Sequence, residues 1–190
     1  MKLLNIRSKK NKGGFSLIEL LLVVGFIALV SLGVYTVYSK VQTSQAANTE
    51  ARNLDTIRAG IKNLYGASQN YVGLTNVVIN DARVTPDSMR AVPVVAGAAA
   101  INNTFGGAVT VVPVNLGTGA NNGFQITYAA VPGDVCTKLV TTAGRAFDTV
   151  GVGAVGNVKA FGTGNLNVVQ ATATCAGAGV NGIDVILQSL

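Results

Sequence analysis

The chain has 190 residues, of which 49% are apolar and only 12% are charged, and it contains no histidine. Charged residues make up about 25% of a typical soluble domain, so this is not an ordinary cytosolic composition. Without histidine the chain lacks the commonest general base, the commonest metal ligand and every Ser–His or Cys–His nucleophile pair. We therefore expect no enzyme, no bound metal and no cofactor.

The net charge of +6 is concentrated in the first twelve residues, which hold five of the fourteen basic side chains. Beyond them, nine basic side chains stand against eight acidic ones, so the rest of the chain carries only about +1. No basic stripe remains that could follow a phosphate backbone, and no nucleic-acid partner is predicted. The basic residues of this N-terminal tail are Lys2, Arg7, Lys9, Lys10 and Lys12.

Residues 15–37 form an apolar segment of 23 residues with a single charge. About 20 apolar residues suffice for a helix to cross the hydrocarbon core of a membrane. The basic flank is expected to stay in the cytoplasm, so the chain that follows is exported. No A-x-A cleavage site follows the segment, which favours a signal anchor over a signal peptide removed at that point.

Glu19 is the one charge inside this apolar segment. A carboxylate near the middle of a membrane helix costs roughly 2.5–3.5 kcal/mol on insertion scales, so it indicates a functional role with a specific partner. Glu19 lies only five residues into the segment, however. Its position alone is equally consistent with a side chain that reaches back to the cytoplasmic headgroups.

The sequence GGFSLIE at residues 13–19, between the basic tail and the apolar segment, resembles the processing site of type IV prepilins. In that family a membrane peptidase cuts after the glycine and methylates the new N-terminal residue. The resemblance implies a leader of residues 1–14, cleavage between Gly14 and Phe15, N-methylation of Phe15, and a prepilin peptidase as partner.

The same resemblance implies an assembly role for Glu19, which would be the fifth residue of the mature chain. A buried carboxylate needs a cation, and the freed amine of Phe15 on a neighbouring subunit can supply one. The better-known subclass usually has a proline where this chain has Thr36. Gly25 and Gly33, together with Ser31, resemble the type IVb subclass instead, although the leader is short for that subclass.

Apolar residues recur at helical spacing after the anchor and predict one helix from Phe15 to about Gln69, roughly 80 Å long at 1.5 Å per residue. Residues 15–38 would be its transmembrane and assembly half. Residues 39–69 would be an amphipathic half that packs on a head domain. The stripe consists of Leu54, Ile57, Ile61, Leu64 and Tyr65.

Residues 70–123 are expected to be a connecting region that contains one strand at 108–114 and ends in a turn-rich stretch. Residues 124–190 should form most of an antiparallel sheet of about four strands, with further strands at 124–131, 166–172 and 183–187. Between them, Asp134 is expected to cap a short helix that runs to Phe147. A long helix packed on an antiparallel sheet is an α+β fold.

Cys136 and Cys175 are the only cysteines, and neither has a CxxC neighbour. With no histidine for a metal or catalytic site, a disulfide is predicted over two unpaired buried thiols. Closing a loop of about 40 residues would contribute on the order of 4 kcal/mol. In pilins a C-terminal disulfide bounds the surface-exposed D-region, and Cys136 resembles the start of one.

Two glycine-rich segments, at residues 117–123 and 151–165, lack the GK[ST] ending of a phosphate loop and are interpreted as turns and flexible loops. Asp134, Asp148 and Asp184 have no ligand spacing typical of a Ca²⁺ site, so they are interpreted as caps and surface charge.

These features predict the major subunit of a type IV pilus. The precursor would sit in the bacterial inner membrane, contact lipid and the pilus assembly machinery, and polymerise with copies of itself into an extracellular filament for adhesion, aggregation or conjugation-related contact. A type II secretion pseudopilin or minor pilin would share the junction and the helix. A signal-anchored binding or enzymatic domain would keep its leader and form no polymer.

Overall fold

The structure, a computed structural model, describes residue 14 and residues 16–68, 70–90 and 100–190. The chain divides into two compact units, the first ending at Val41 and the second running from Gln42 to Leu190. The predicted leader up to residue 13, Phe15 and Gln69 lie outside the described residues.

Helix α1 spans Leu17–Leu64. In the described part of the chain it is the one helix whose length and composition would allow it to cross a membrane. It ends five residues before the predicted end at Gln69. A turn follows in which the backbone N–H of Gly66 bonds to Asn63 O at 3.3 Å, a tightening common at the last turn of a helix.

Within the second unit, α1 buries one face against the head. Leu54, Ile57 and Ile61 are fully buried, as the predicted stripe requires, and Ala47 and Ala51 extend it by two turns towards the N-terminus. Leu64, which was assigned to the same stripe, is instead 45% exposed. The amphipathic pattern therefore places the core correctly except at Leu64, the last residue of the helix, while Tyr65 just beyond it is partly buried against the core.

The head contains a five-stranded antiparallel sheet in the order β1-β2-β5-β3-β4. Its core side is filled by alternating residues of the central strands, among them Phe124, Ile126, Tyr128, Val185 and Leu187, all fully buried. The α+β fold is confirmed, with five strands rather than about four. The strands are β1 (Val109–Val114), β2 (Gly123–Val131), β3 (Thr149–Val152), β4 (Asn157–Lys159) and β5 (Ile183–Ser189).

One predicted strand is wrong. Residues 166–172 are not extended but lead into helix α4, Val168–Ala176. Asn167 caps this helix by accepting a hydrogen bond from the Gln170 backbone N–H at 3.0 Å. Ala171 and Cys175, four residues apart on one helix face, are both fully buried. Capping and this spacing override the β-branched pair that suggested a strand.

Strands β3 and β4 were not predicted. They form a hairpin in and just before segment 151–165, whose glycines had suggested turns and loops. That segment is therefore not simply loop.

The described part of the head contains two further α-helices. Helix α2 is Asn76–Asp81 with Thr75 as its cap, and α3 is Gly133–Ala143. The cap position of α3 is Pro132 and not Asp134, which lies inside the first turn, and the helix ends before Phe147.

Candidate assembly surface and disulfide-closed head

The first unit presents an apolar helix with no covering. Every side chain that the structure describes between Ser16 and Val41 is exposed, including Leu17 at 79% and Phe26 at 66%. Soluble monomers rarely expose a continuous apolar surface of this size, which marks a contact with lipid or with other protein. We call the described residues 16–41 of α1 the assembly surface.

Two hydroxyl side chains within the assembly surface form hydrogen bonds to the backbone of α1 itself. The Ser31 hydroxyl donates to Ile27 O at 2.8 Å, and that of Thr36 donates to Gly33 O at 2.9 Å. These bonds let hydroxyls sit in an apolar environment without another partner. Glu19 is the one acidic residue in the described part of this unit, and it occupies the first turn of α1, where the helix dipole favours a carboxylate.

Gly14 is exposed and has no atom near its Cα that a side chain would meet. The predicted cleavage partner Phe15 lies outside the described residues, so the junction and the pairing of Glu19 with the Phe15 amine stay predictions.

The disulfide between Cys136 and Cys175 is present and joins α3 to α4 with the two Cα atoms 5.6 Å apart. Both cysteines are fully buried. The helices approach closely here, since a Cβ added to Gly133 would lie 2.6 Å from the carbonyl oxygen of Cys175. The bond therefore fixes a helix pair that already packs backbone to backbone.

Glu50 is a fully buried carboxylate on the helix face that packs on the head. Its Oε1 accepts hydrogen bonds from the Thr104 backbone N–H at 2.8 Å and from the Thr104 hydroxyl. Its Oε2 accepts from the Tyr128 hydroxyl at 3.1 Å and from the Asn53 side-chain amide at 3.3 Å. One side chain thus ties α1 to the segment before β1 and to β2.

The sequence does contain a signal for this site, although Glu50 is not among the residues predicted above to be functional. Glu50 precedes Leu54 by four residues and Ile57 by seven, so it lies on the apolar stripe itself. A charge on a core-facing stripe predicts a buried and fully hydrogen-bonded group.

Burial raises the pKa of Tyr128 far above the usual tyrosine range, and the charge of Glu50 and the hydrogen bond to it raise the pKa further. An unfolded tyrosine loses its proton near pH 10. Above that pH the unfolded chain releases a proton that the folded chain retains, so the free energy of unfolding should fall by about 1.4 kcal/mol per pH unit.

Replacing Tyr128 with Phe should remove this slope. We expect urea unfolding of the two chains to give a difference in free energy that is constant below pH 10 and narrows above it. Burial also raises the pKa of Tyr71, and burial together with Arg58 lowers that of Lys62, but both groups occur in both chains and cancel. Parallel pH profiles for the two chains would contradict the prediction.

Lys159 is a second buried charge that sequence analysis did not find. Its Nζ donates to Gly144 O at 3.0 Å and to Phe147 O at 2.6 Å, at and just beyond the C-terminus of α3. A cation here also interacts favourably with the negative end of the helix dipole. No local pattern in the sequence links β4 to these two carbonyls.

Replacing Lys159 with Met should lower the free energy of unfolding by about 3 kcal/mol, because two buried carbonyls lose a charged donor. Arg145→Met, which removes an exposed cation next to the same helix end, is the control and should change it by less than about 0.5 kcal/mol. Thermal or urea unfolding measures both, and equal effects of the two variants would refute the role given to Lys159.

The three aspartates singled out in the sequence lie apart, each in its own contact. Asp134 Oδ2 accepts from the Thr43 hydroxyl at 3.1 Å, and Asp184 Oδ1 accepts from the Ala130 N–H at 3.3 Å. Asp148 Oδ2 accepts from the Leu190 N–H at 2.9 Å. Among the described residues no group of three or more Cys, Asp or Glu side chains could hold a metal.

The glycine-rich segment 117–123 forms the turn between β1 and β2, as predicted. The Asn122 side chain accepts from the Leu116 N–H at 2.8 Å and donates to the Leu116 carbonyl at 2.7 Å. Gly117, with φ +65°, and Asn121, with φ +48°, take the left-handed conformations that such a turn requires.

The fold of this chain is similar to that of solved type IV pilins. One such structure is the crystal structure of TcpA, a type IV pilin from Vibrio cholerae El Tor biotype. The match covers 78% of this chain and 99% of the TcpA chain, with 20% identity and a TM-score of 0.56. A type IV b pilin from Salmonella typhi covers 74% of this chain and 97% of its own at 21% identity and a TM-score of 0.58.

Sequence comparison agrees. The toxin coregulated pilin of Vibrio cholerae serotype O1 is 28% identical over 174 residues, covering 90% of this chain and 75% of the relative. The major structural subunit of bundle-forming pilus from Escherichia coli O111:H- is 26% identical over 172 residues, covering 88% of this chain and 86% of the relative. Residues 44–189 match the family model described as PilS N terminal. The chain belongs to this family and is a type IVb-like pilin. Residues 13–19 predicted the pilin family, and Gly25, Ser31 and Gly33 predicted the type IVb subclass.

Proposed function

We propose that this chain is the major structural subunit of a type IV pilus, made as a precursor and polymerised through α1. The assembly surface carries the proposal, since 18 or more apolar residues exposed on all sides need lipid before assembly and other helices after it. Residues 1–14 would be the leader and residues 15–38 the membrane and assembly half. Residues 39–69 would pack on the head, with residues 70–123 as connection and 124–190 as the sheet and disulfide-bounded region.

The partners follow from this life cycle. The precursor spans the inner membrane once, with the basic leader in the cytoplasm. A prepilin peptidase cuts between Gly14 and Phe15 and methylates Phe15, and the assembly machinery transfers the subunit into an extracellular homopolymer. The function is structural and not enzymatic, and the filament serves adhesion, aggregation or conjugation-related contact.

The direct test is the mass and N-terminal sequence of the protein in a sheared cell-surface fraction. Loss of residues 1–14 with a methyl group on Phe15 is expected. A membrane-retained chain with its leader intact would refute the proposal and favour a signal-anchored domain. A processed chain of low abundance at the surface would favour a minor pilin or pseudopilin.

Glu19 is proposed to pair with the Phe15 amine of a neighbouring subunit during assembly. Glu19→Gln should reduce surface filaments by at least about tenfold, because it leaves the partner amine buried without a counter-charge. Asp55→Asn, which neutralises an exposed carboxylate farther along α1, is the control and should assemble normally.

Immunoblots of the sheared and membrane fractions measure the effect of Glu19→Gln. We expect processed Glu19→Gln protein to accumulate in the membrane. Filaments in normal amount would contradict the pairing while leaving the pilin assignment intact.

A further inference from the structure

Strand β1 forms one edge of the sheet and has a composition suited to pairing with another chain. Its six residues, VTVVPV, carry no charge, and four of them are β-branched valines. Thr110 and Val112 are exposed on the side of the sheet away from the core. An apolar edge strand of this kind is a ready template for strand addition and aggregation unless its backbone groups are occupied.

Alternation along β1 shows which backbone groups face the open edge. The Ala129 N–H donates to Ala108 O at 3.0 Å, so Ala108 and every second residue after it point towards β2. Val109, Val111 and Pro113 therefore direct their backbone groups outward.

None of these three residues offers a free backbone N–H at the open edge. The Val109 N–H donates to Ile101 O at 2.7 Å, in the segment just before β1. The Val111 N–H donates to Asn76 Oδ1 at 2.7 Å. Pro113 has no N–H, and proline is tolerated at such edge positions for that reason. A further chain would find no backbone donor on this edge.

Asn76 does more than occupy one donor. Its Nδ2 donates to Val109 O at 2.7 Å while its Oδ1 accepts from Val111 N–H, so this one side-chain amide makes the pair of bonds that two peptide groups of a sixth strand would make. Helix α2 positions it. Asn76 is the first residue of that helix, Thr75 caps it, and Ile79 anchors it in the core.

The opposite edge is protected differently. Strand β4 is only three residues long, and the carbonyl of Val158 at its centre accepts from the Asn167 N–H at 2.8 Å. Short edge strands with occupied backbone groups are a common defence against edge pairing. Within the described ranges, Asn76 is thus a side chain whose replacement would free both a donor and an acceptor on an edge of this sheet.

We infer that Asn76 keeps the heads of separate copies from joining edge to edge, and that β1 is a concealed interaction surface whose partner is β1 of a second copy. The donor of Val111 and the acceptor of Val109 lie on one side of the strand. Two antiparallel copies related by a two-fold axis would satisfy each other through them. The inference rests on the edge geometry and holds whether or not the chain forms a filament.

The test compares three variants of the full chain in detergent micelles, by sedimentation at increasing protein concentration. Asn76→Ala opens the edge. Asn76→Asp keeps an acceptor for Val111 but leaves the Val109 carbonyl without a donor and places two negative charges against each other in any dimer. Ile79→Val weakens the anchor of α2 without removing the amide. Association through α1 is common to all three and cancels.

Asn76→Ala should dimerise with a dissociation constant at least about tenfold lower than either control, equivalent to roughly one net hydrogen bond per dimer. Hydrogen exchange should show the Val111 amide losing protection in the Asn76→Ala monomer and regaining it on dimerisation. A monomer that behaves like Ile79→Val would overturn the inference. Equal association of Asn76→Asp would overturn it as well, since loss of stability and not edge pairing would then be the cause.

Discussion

Glu50→Ala is expected to lower the free energy of unfolding by about 4 kcal/mol, the range seen when one partner of a buried charged network is removed. The substitution leaves the Thr104 N–H, the Thr104 hydroxyl and the Tyr128 hydroxyl without their acceptor. Each buried polar group left unpaired costs about 1–3 kcal/mol, and the lost side-chain volume adds to this. Urea unfolding of the full chain in detergent micelles, followed by tyrosine circular dichroism, measures the loss.

Two further variants separate the charge from the contacts. Glu50→Gln retains one oxygen acceptor and the side-chain volume, so we expect it to lose about half as much stability as Glu50→Ala. Asp55→Ala, one turn and a half further along α1 and exposed, should change the free energy of unfolding by less than about 0.5 kcal/mol. If Glu50→Ala unfolds at the same urea concentration as Asp55→Ala, the network has no role in stability.

The Glu50 network is one of several polar contacts that hold the second-unit part of α1 on the head. Apart from its apolar stripe, the second-unit part of α1 has polar bonds to the head, and three of them reach different elements. Thr43 bonds to Asp134 at 3.1 Å, Glu50 bonds to Thr104 and Tyr128, and Arg58 Nε donates to the Ser189 hydroxyl at 3.3 Å. These fix both the rotation and the axial position of the helix, because each tie reaches a different element of the head. Apolar packing alone tolerates small slides.

The helix was the most predictable part of the fold because its signal is periodic and long. Leu54, Ile57 and Ile61 repeat at helical spacing and are all fully buried. Strands β2 and β5 were also predicted nearly to the residue, since each is bounded by a turn and rich in β-branched or aromatic side chains. Where the pattern is sustained, local sequence and tertiary packing agree.

The wrongly predicted elements are short segments, in which the local sequence pattern and the tertiary packing do not agree. Strand β3 is buried at all four residues, so it shows no alternation of apolar and polar positions, and the glycines around it suggested a loop. In α4, Val168 and Val169 favour a strand locally. The cap by Asn167, three residues before Gln170, and the disulfide at Cys175 set the helix instead. Of these two contacts, only the disulfide reaches a residue far away in sequence, 39 residues before Cys175.

Some candidate sites could be predicted from the sequence, and others could be found only in the structure. The junction at Gly14 and Phe15 and the role of Glu19 follow from resemblance to a family, and the disulfide follows from the absence of any other use for two cysteines. The ties of Glu50 and Lys159 could not be assigned partners from sequence, because those partners include backbone groups of Thr104, Gly144 and Phe147. Every residue has such groups, so only the folded chain selects them.

Loss of the disulfide is the second large effect we expect. Reduction of the bond should lower the free energy of unfolding by about 4 kcal/mol, because the bond closes a loop with a sequence separation of 39 residues. The double variant Cys136→Ala with Cys175→Ala should lower it further, because it also removes two buried sulfur atoms. The loss should appear mainly through the unfolded chain, which gains conformational freedom when the loop opens. Urea unfolding of oxidised, reduced and double-variant chains at equal protein concentration measures it.

Comparing the three chains separates the bond from the packing of its sulfur atoms. The oxidised and reduced chains have the same residues, so their difference reports loop closure. The reduced chain and the double variant differ only in two thiols buried between α3 and α4, which should add about 1 kcal/mol per residue. Equal urea midpoints for oxidised and reduced chains would mean that the close approach of Gly133 to Cys175 already holds the helix pair. The bond would then add nothing measurable to the stability of the head.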